Sequence, residues 1–149
     1  MRLALYQPEI PGNAGAILRL SACFMVAVDI IEPCGFPFSD KRLRRAGMDY
    51  IDHVQLTRHN DWDSFARAAP GRIILLSSKA SLRLPDFAFA PDDTLLLGQE
   101  SAGVPPEIRA ACDGAVRIPL SPHVRSLNVA VAAGIALSEG LRQTGGYCE

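Results

Sequence analysis

The stretch RIPLSPHVRSLNVAVAAGIALSE, residues 117–139, decides the reading of this chain. RIPL, from Arg117, reads as a strand, and Ser121-Pro122 turns the chain. Ser126 and Asn128 then open a helix whose body is almost entirely small and apolar. Such a helix is buried on most sides, and polar groups confined to its first turn face something that needs hydrogen bonds. The active site is expected at that end.

Upstream, the periodicity alternates. Arg2 to Tyr6 is a short apolar run and Val26 to Glu32 is rich in β-branched residues, so both read as strands. Between them, Pro11-Gly12-Asn13 reads as a turn and Ala14 to Phe24 as a helix. Pro33 to Phe38 is a loop. Ser39-Asp40 caps a short basic helix that Gly47 ends. A strand is expected over Tyr50 to Leu56 and a helix over Asp61 to Ala69, with Asp61 as its cap. Arg72 to Ser77, Asp93 to Leu97 and Ala115 to Leu120 read as strands, Pro105 to Ala111 as a short helix, and Asn128 to Arg142 as the last one. Strands alternating with helices at this spacing imply an α/β domain with a mainly parallel, buried sheet.

The chain has 149 residues, 48% hydrophobic and 21% charged, which fits one globular domain over residues 1–149 and excludes disorder. A formal net charge of −1 excludes a generally basic nucleic-acid binder, so any RNA-binding charge must be concentrated locally. The four cysteines form no CxxC pair and the three histidines no HxxxH spacing, so no metal site is expected. The apolar run in MRLALYQPEIPG is too short for a signal peptide. Val129 to Leu137 falls far short of the roughly 18 apolar residues of a membrane span. A reduced, cytoplasmic protein is expected.

In parallel sheets, ligands bind outside the carboxyl ends of the strands. Three loops at such ends are unusual: Gln7 to Gly15, Gly98 to Pro105, and Ser121 to Asn128. The first lacks the glycine fingerprint of a dinucleotide site and the Lys-Ser/Thr of a P-loop. Asn13 there sits near a helix start, where it could cap. Arg19, the one charge between Glu9 and Asp29, is either a surface arginine on an amphipathic helix or a group aimed at a phosphate or hydroxyl. In the second loop, Gly98 and Gly103 permit close backbone approach or φ > 0. Glu100 between them is either a solvated loop carboxylate or one that orients a ligand or neighbouring group. In the third, Ser126 and Asn128 taken in isolation read as helix caps, and His123 is either a catalytic base or, as a loop histidine beside proline usually is, a bystander. Lys41, Arg42, Arg44 and Arg45 make the concentrated positive charge that suits a phosphate backbone, or else a solvated face, with Leu43, Ala46 and Tyr50 on one face of the helix and the four cations spread over the rest.

The order and spacing of these motifs carry more than any one of them. The set E-I-P-G-N-x-G-x-I-x-R-L from Glu9, I-I-E-P-x-G-F from Ile30, D-K-R-L-R-R-A-G-x-D-Y from Asp40, L-G-x-E-x-x-G-x-P from Leu97 and R-I-P-x-x-P-x-x-R-S-x-N from Arg117 resembles the SPOUT superfamily of RNA methyltransferases. Within it, the chain is most similar to the small TrmL-type tRNA (cytidine/uridine-2′-O)-methyltransferases of the wobble nucleotide. The resemblance spans nearly the whole sequence. It implies the SPOUT (α/β knot) fold, with a C-terminal trefoil knot, and a homodimer with the last helix in the interface. It implies S-adenosyl-L-methionine as cofactor, held by Ser77, Gly98, Glu100, Gly103, Ile118, Leu120, Ser126, Leu127 and Asn128, with Lys79 flanking. It further implies tRNA as substrate, leucine isoacceptors among them, bound through Lys41, Arg42, Arg44 and Arg45. Arg19, Ser126 and Asn128 become the catalytic set. Arg19 then stabilises the developing alkoxide or grips the adjacent phosphate, since a guanidinium stays protonated and is a poor base.

One departure stands out: Cys23-Phe24-Met25 follows the first helix where relatives carry a small residue or glycine, so local repacking is expected there. The alternatives are a ribosomal-RNA 2′-O-methyltransferase of the same superfamily, a non-catalytic RNA- or cofactor-binding module, and a nucleotide-dependent oxidoreductase. The missing glycine fingerprint speaks against the last.

Overall fold

The structure is a computed structural model that describes residues 1–39, 41–42 and 50–148. Seven strands form one sheet: β1 (Arg2–Tyr6), β2 (Ala27–Ile31), β3 (Leu56–His59), β4 (Ile73–Leu76), β5 (Leu82–Arg83), β6 (Thr94–Leu97) and β7 (Gly114–Arg117). Their spatial order is β3-β2-β1-β6-β4-β7-β5, and every pairing is parallel. Four α-helices lie wholly within the described residues: α1 (Pro11–Phe24), α2 (Trp62–Ala68), α3 (Pro106–Ala111) and α4 (Val129–Thr144).

The continuous apolar strands are explained by burial on both faces. Leu3 and Leu5 of β1, with Leu95 and Leu97 of β6, point into a core shared with Ala14, Ile17 and Leu18 of α1 and Ala136, Leu137 and Leu141 of α4. Ala4, Tyr6 and Leu96 point the other way, onto Phe65 of α2 and Ile108 of α3. Alternation still exists, but both partners of each alternating pair are apolar. Among the described residues, the charged groups that the sheet buries are compensated, whereas the buried Thr94 hydroxyl of β6 has no hydrogen-bond partner. Asp29 takes Arg2 on one oxygen at 2.9 Å and His59 on the other at 2.8 Å. Arg72 holds Asp93 bidentately at 2.8 and 2.7 Å.

Several boundaries differ from the sequence reading. Helix α1 begins at Pro11 rather than after Asn13, because proline at the first helical position lacks only an N–H that has no intrahelical partner anyway. Ile10 occupies the N-cap without a side-chain hydrogen bond, so Asn13 is not the cap. The strand expected over Tyr50–Leu56 is instead a 3-10 turn, Ile51–His53, followed by β3. The register with β2 sets that boundary: Val28 pairs with Leu56 and Ile31 with His59. Strand β5 was not expected; its two residues are both exposed and carry no periodic signal. Helix α4 runs two residues beyond Arg142 and ends on Gly145 in the left-handed region. The cap at Asp61 is present, its carboxylate accepting the Ser64 N–H at 2.7 Å.

Met25 accounts for the departure noted after α1. It caps that helix at φ 51°, ψ 37°, the left-handed conformation in which glycine is the unstrained residue. Its N–H bonds back to Ala22, the Val26 N–H reaches Ser21, and its side chain projects into solvent, 75% exposed.

The basic helix starts as expected, with the Ser39 hydroxyl accepting the Arg42 N–H at 3.3 Å; Lys41 and Arg42 are exposed. Arg44 and Arg45, and the helix end expected at Gly47, lie outside the described residues.

Candidate active site

The strand order reverses between β1 and β6, where chain neighbours lie on opposite sides. At the carboxyl ends of β4 and β6 lies a cleft of about 830 Å³. All three unusual loops reach it. Ile10 and Asn13 come from the first, Gly98 to Val104 from the second, and Arg125 to Asn128 from the third. Leu75, Leu76 and Leu97 form its floor, and Ser77 to Lys79, Ile118 and Leu120 its walls.

The loops are tied to one another by side chains. The Gln99 amide donates to the Gln7 side-chain oxygen at 3.0 Å. Glu9 accepts both the N–H and the hydroxyl of Ser101, at 2.9 and 2.8 Å, and these two donors hold its carboxyl below the usual carboxylate range. In return, Glu100 accepts the backbone N–H groups of Glu9 and Ile10 at 3.0 and 3.2 Å, and the Asn13 side-chain amide at 3.2 Å. Asn13 Oδ1 then accepts from Asn128 Nδ2 at 2.9 Å. Asn128 Oδ1 caps α4, accepting the Ala130 and Val131 N–H groups at 2.9 and 3.3 Å.

The direction of this chain is forced. An ionised carboxylate only accepts and a backbone N–H only donates, so both ends dictate which way each amide points. Asn128 must turn its oxygen to α4 and its nitrogen to Asn13. Asn13 must in turn present nitrogen to Glu100. The path orients the polar first turn of α4 on the rim of the cleft.

Gly98 has a specific role in this loop. A Cβ placed there would lie 2.6 Å from the carbonyl carbon of Gly103 and 2.7 Å from its Cα. Gln99 and Gly103 exchange two backbone hydrogen bonds of 2.8 and 2.9 Å, and Gly103 has φ +70°. The close approach allowed by Gly98 is therefore to the loop's own return strand. Glu100, sitting inside this pinched turn, has its carboxylate committed to the first loop.

Of the residues singled out from sequence, Ser77, Gly98, Glu100, Gly103, Ile118, Leu120, Ser126, Leu127 and Asn128 all line the cleft, as does Lys79. Arg19 does not. It lies six residues past Asn13 on α1, about 9 Å further along the helix and turned to another face. Its guanidinium carbon sits 5.0 Å from the centroid of the Tyr50 ring. His123 is exposed and lies off the cleft. Two cleft cations, Arg109 and Arg125, were not assigned from sequence. Arg109 donates to the Lys79 carbonyl at 3.0 Å and pins that wall. Arg125 was legible in the R-S-x-N motif; Arg109, on a short helix far from that motif, left no signal.

A parallel sheet with a polar-rimmed cleft beside its point of order reversal, walled by three interlocked loops, defines an α/β enzyme domain for a small ligand. The relatives make the class specific. Residues 1–138 match the SpoU rRNA Methylase family, and the chain belongs to that family. It is 56% identical, over 96% of its length and 91% of the relative's, to a tRNA (cytidine(34)-2′-O)-methyltransferase of Beijerinckia indica. A solved structure described as giving insight into 2-OH methylation of C/U34 on tRNA matches with a TM-score of 0.89 at 42% identity, covering 95% of this chain and 94% of that one. The SpoU methyltransferase AviRb from Streptomyces viridochromogenes, solved with its cofactor AdoMet, matches with a TM-score of 0.80 at 26% identity, over 96% of this chain and 60% of that one.

Proposed function

We propose that this chain methylates the ribose 2′-oxygen of the wobble nucleotide, cytidine or uridine 34, of tRNA, using S-adenosylmethionine. The observation that carries the reading is the cleft held by the Glu100–Asn13–Asn128 path, in a chain so similar to enzymes named for that reaction.

The residues present suit the cofactor. Its adenine is flat and apolar with a hydrogen-bonding edge, matching Ile118 and Leu120 beside the backbone groups of the Gly98–Gly103 turn. Its amino-acid end needs polar partners, which the exposed Ser126 and Arg125 offer on the same wall. Bound there, S-adenosylmethionine supplies an electrophilic methyl group on a positively charged sulfur. The protein's task is then to hold a ribose hydroxyl in line with it, and such positioning is worth up to roughly 7–11 kcal/mol of the barrier. Ser126 and Asn128, on the cleft rim, are placed to orient that hydroxyl. Arg19 stabilises the negative charge that develops on the attacking oxygen or holds the neighbouring phosphate.

Because Arg19 lies outside the cleft of its own chain, that role is filled by the Arg19 of a second copy. The homodimer reading is supported by an apolar row on α4, where Val131 and Ile135 are 52% and 41% exposed, next to α1 with its exposed Cys23. The SPOUT trefoil knot, made of the second and third loops, is part of the same reading.

The test is direct. Purified protein is incubated with labelled S-adenosylmethionine and either tRNA or ribosomal RNA, and the RNA is digested for nucleoside mass spectrometry. Methylated ribose at position 34 of tRNA, leucine isoacceptors first, is expected. Methylation confined to ribosomal RNA, or none with either, overturns the proposal. Arg19→Ala is expected to fold and bind cofactor while losing about 100-fold or more in transfer, the scale of one lost transition-state donor.

A further inference from the structure

Among the described residues, Arg2, Arg58, Arg72 and Arg142 meet the carboxylates of Asp29, Glu32, Asp93 and Glu139, and Arg58 and Arg72 lie over the rings of Phe38 and Phe87 as well. Arg19 lies over the ring of Tyr50, its guanidinium carbon 5.0 Å from the centroid, with no carboxylate partner among the described residues. The chemical difference matters. A carboxylate takes up the charge and two of the five N–H donors of a guanidinium. An aromatic ring attracts the cationic face and leaves the edge, with its donors, available.

The ring itself is set in place by backbone structure. The Tyr50 carbonyl accepts the His53 N–H at 2.9 Å, opening the 3-10 turn Ile51–His53. Ile51 of that turn is buried in the core that α1 also enters. Tyr50 is 41% exposed, so its ring forms a ledge on the surface beside α1 with Arg19 laid over it. An exposed arginine otherwise samples many rotamers, and ordering one at each turnover costs entropy.

We propose that Tyr50 is a positioning residue for Arg19: its ring holds the guanidinium flat and still fully charged, with its N–H edge presented to the oxygens of an incoming ribose-phosphate. This rests on the reading of Arg19 given under Proposed function. The ring, not the hydroxyl, does the work, so Tyr50→Phe retains it and Tyr50→Leu does not.

The experiment is a double-mutant cycle. Single-turnover methyl transfer to tRNA at saturating S-adenosylmethionine is measured for the unaltered protein, Tyr50→Phe, Tyr50→Leu, Arg19→Ala and Arg19→Ala/Tyr50→Leu. The KM for tRNA and the melting temperature are followed in parallel. Expected are a rate within about twofold for Tyr50→Phe and a loss of about two- to fivefold for Tyr50→Leu, the scale of an exposed cation–π contact. The loss should fall on kcat rather than KM, with little change in melting temperature, and Tyr50→Leu should cost nothing more once Arg19 is alanine.

Slow Arg19→Ala with unimpaired Tyr50→Leu overturns the proposal while leaving the role of Arg19 intact. An equal loss from Tyr50→Leu in both backgrounds, or one carried by KM, also overturns it, by making Tyr50 a direct RNA contact. Full activity of Arg19→Ala overturns the reading of Arg19 and the proposal together.

Discussion

Gly98→Ala is the sharpest perturbation of the cleft. The added methyl would sit 2.6, 2.7 and 2.9 Å from the carbonyl carbon, Cα and oxygen of Gly103, against the roughly 3.5–4.0 Å of a relaxed contact. None of these atoms belongs to a flexible side chain, so the turn itself must open. Opening it breaks the two Gln99–Gly103 hydrogen bonds, each worth about 0.5–1.5 kcal/mol net. It also draws Glu100 and Ser101 away from the first loop. A loss of about 2–4 kcal/mol follows, which at about 2–4 °C per kcal/mol lowers the melting temperature by ~4–16 °C. Two other glycines calibrate the effect. Gly103→Ala meets nothing within 4 Å but retains φ +70°, so only the left-handed strain of about 1–2 kcal/mol applies. Gly12→Ala, in the first turn of α1 with nothing within 4 Å, is neutral or slightly stabilising. Thermal unfolding by circular dichroism and calorimetric titration with S-adenosylmethionine read both consequences, with cofactor affinity falling at least tenfold for Gly98→Ala. If Gly98→Ala melts and binds like the unaltered protein, or is milder than Gly103→Ala, the pinched turn is not what shapes the cleft.

Met25→Gly should raise stability by about 1 kcal/mol, since it relieves a left-handed cap and gives up little packing; an unchanged or lower midpoint in urea would refute this. Thiol labelling should divide the cysteines. Burial, reinforced by the hydrogen bond to Glu32, pushes the Cys34 thiol up to about 12, and burial pushes Cys112 up to about 11. Brief iodoacetamide treatment at pH 8 is therefore expected to modify the exposed Cys148 and spare Cys34 and Cys112, with Cys23 modified only as far as the proposed dimer face leaves it open, as read by peptide mass spectrometry. Equal labelling of all four would show that the interior opens on that timescale. Replacing Lys41, Arg42, Arg44 and Arg45 by alanine should weaken tRNA binding and lower the slope of log K against log salt by up to about 3, one increment of ~0.7 for each phosphate that is no longer neutralised. An unaltered slope in filter-binding titrations would place that helix against bulk solvent.

What the sequence could convey depended on how local each signal was. The central strands were legible because two-sided burial demands unbroken apolar runs such as IILL and TLLL. The third strand was placed too early, because Ile51 and Val54 look like strand residues although one sits in a 3-10 turn and the other caps it. Only pairing with β2 moves the strand to Leu56–His59, and pairing is not a property of a sequence window. The three loops of the cleft were legible from their glycines, prolines and polar residues. Their interlocking was not: Glu100 meets Asn13 across 87 residues, and Asn13 meets Asn128 across 115. Each of those three residues allowed a bland local reading, and the local reading of Asn128 as a cap is true as well. Arg19 shows the opposite case, in which a motif pointed to a chemistry but not to the side of the molecule where the side chain would stand.

The path from Glu100 through Asn13 to Asn128 also bears on how the molecule matures. Its members stand far apart in the order Asn13, Glu100, Asn128, so a nascent chain that has not yet reached Asn128 lacks the complete path. A chain cut anywhere between the first and second loops must reunite its halves before any ligand can be held. Recovery of methyl-donor binding would then serve as a reporter of complete assembly, silent toward partly folded forms that keep the central strands.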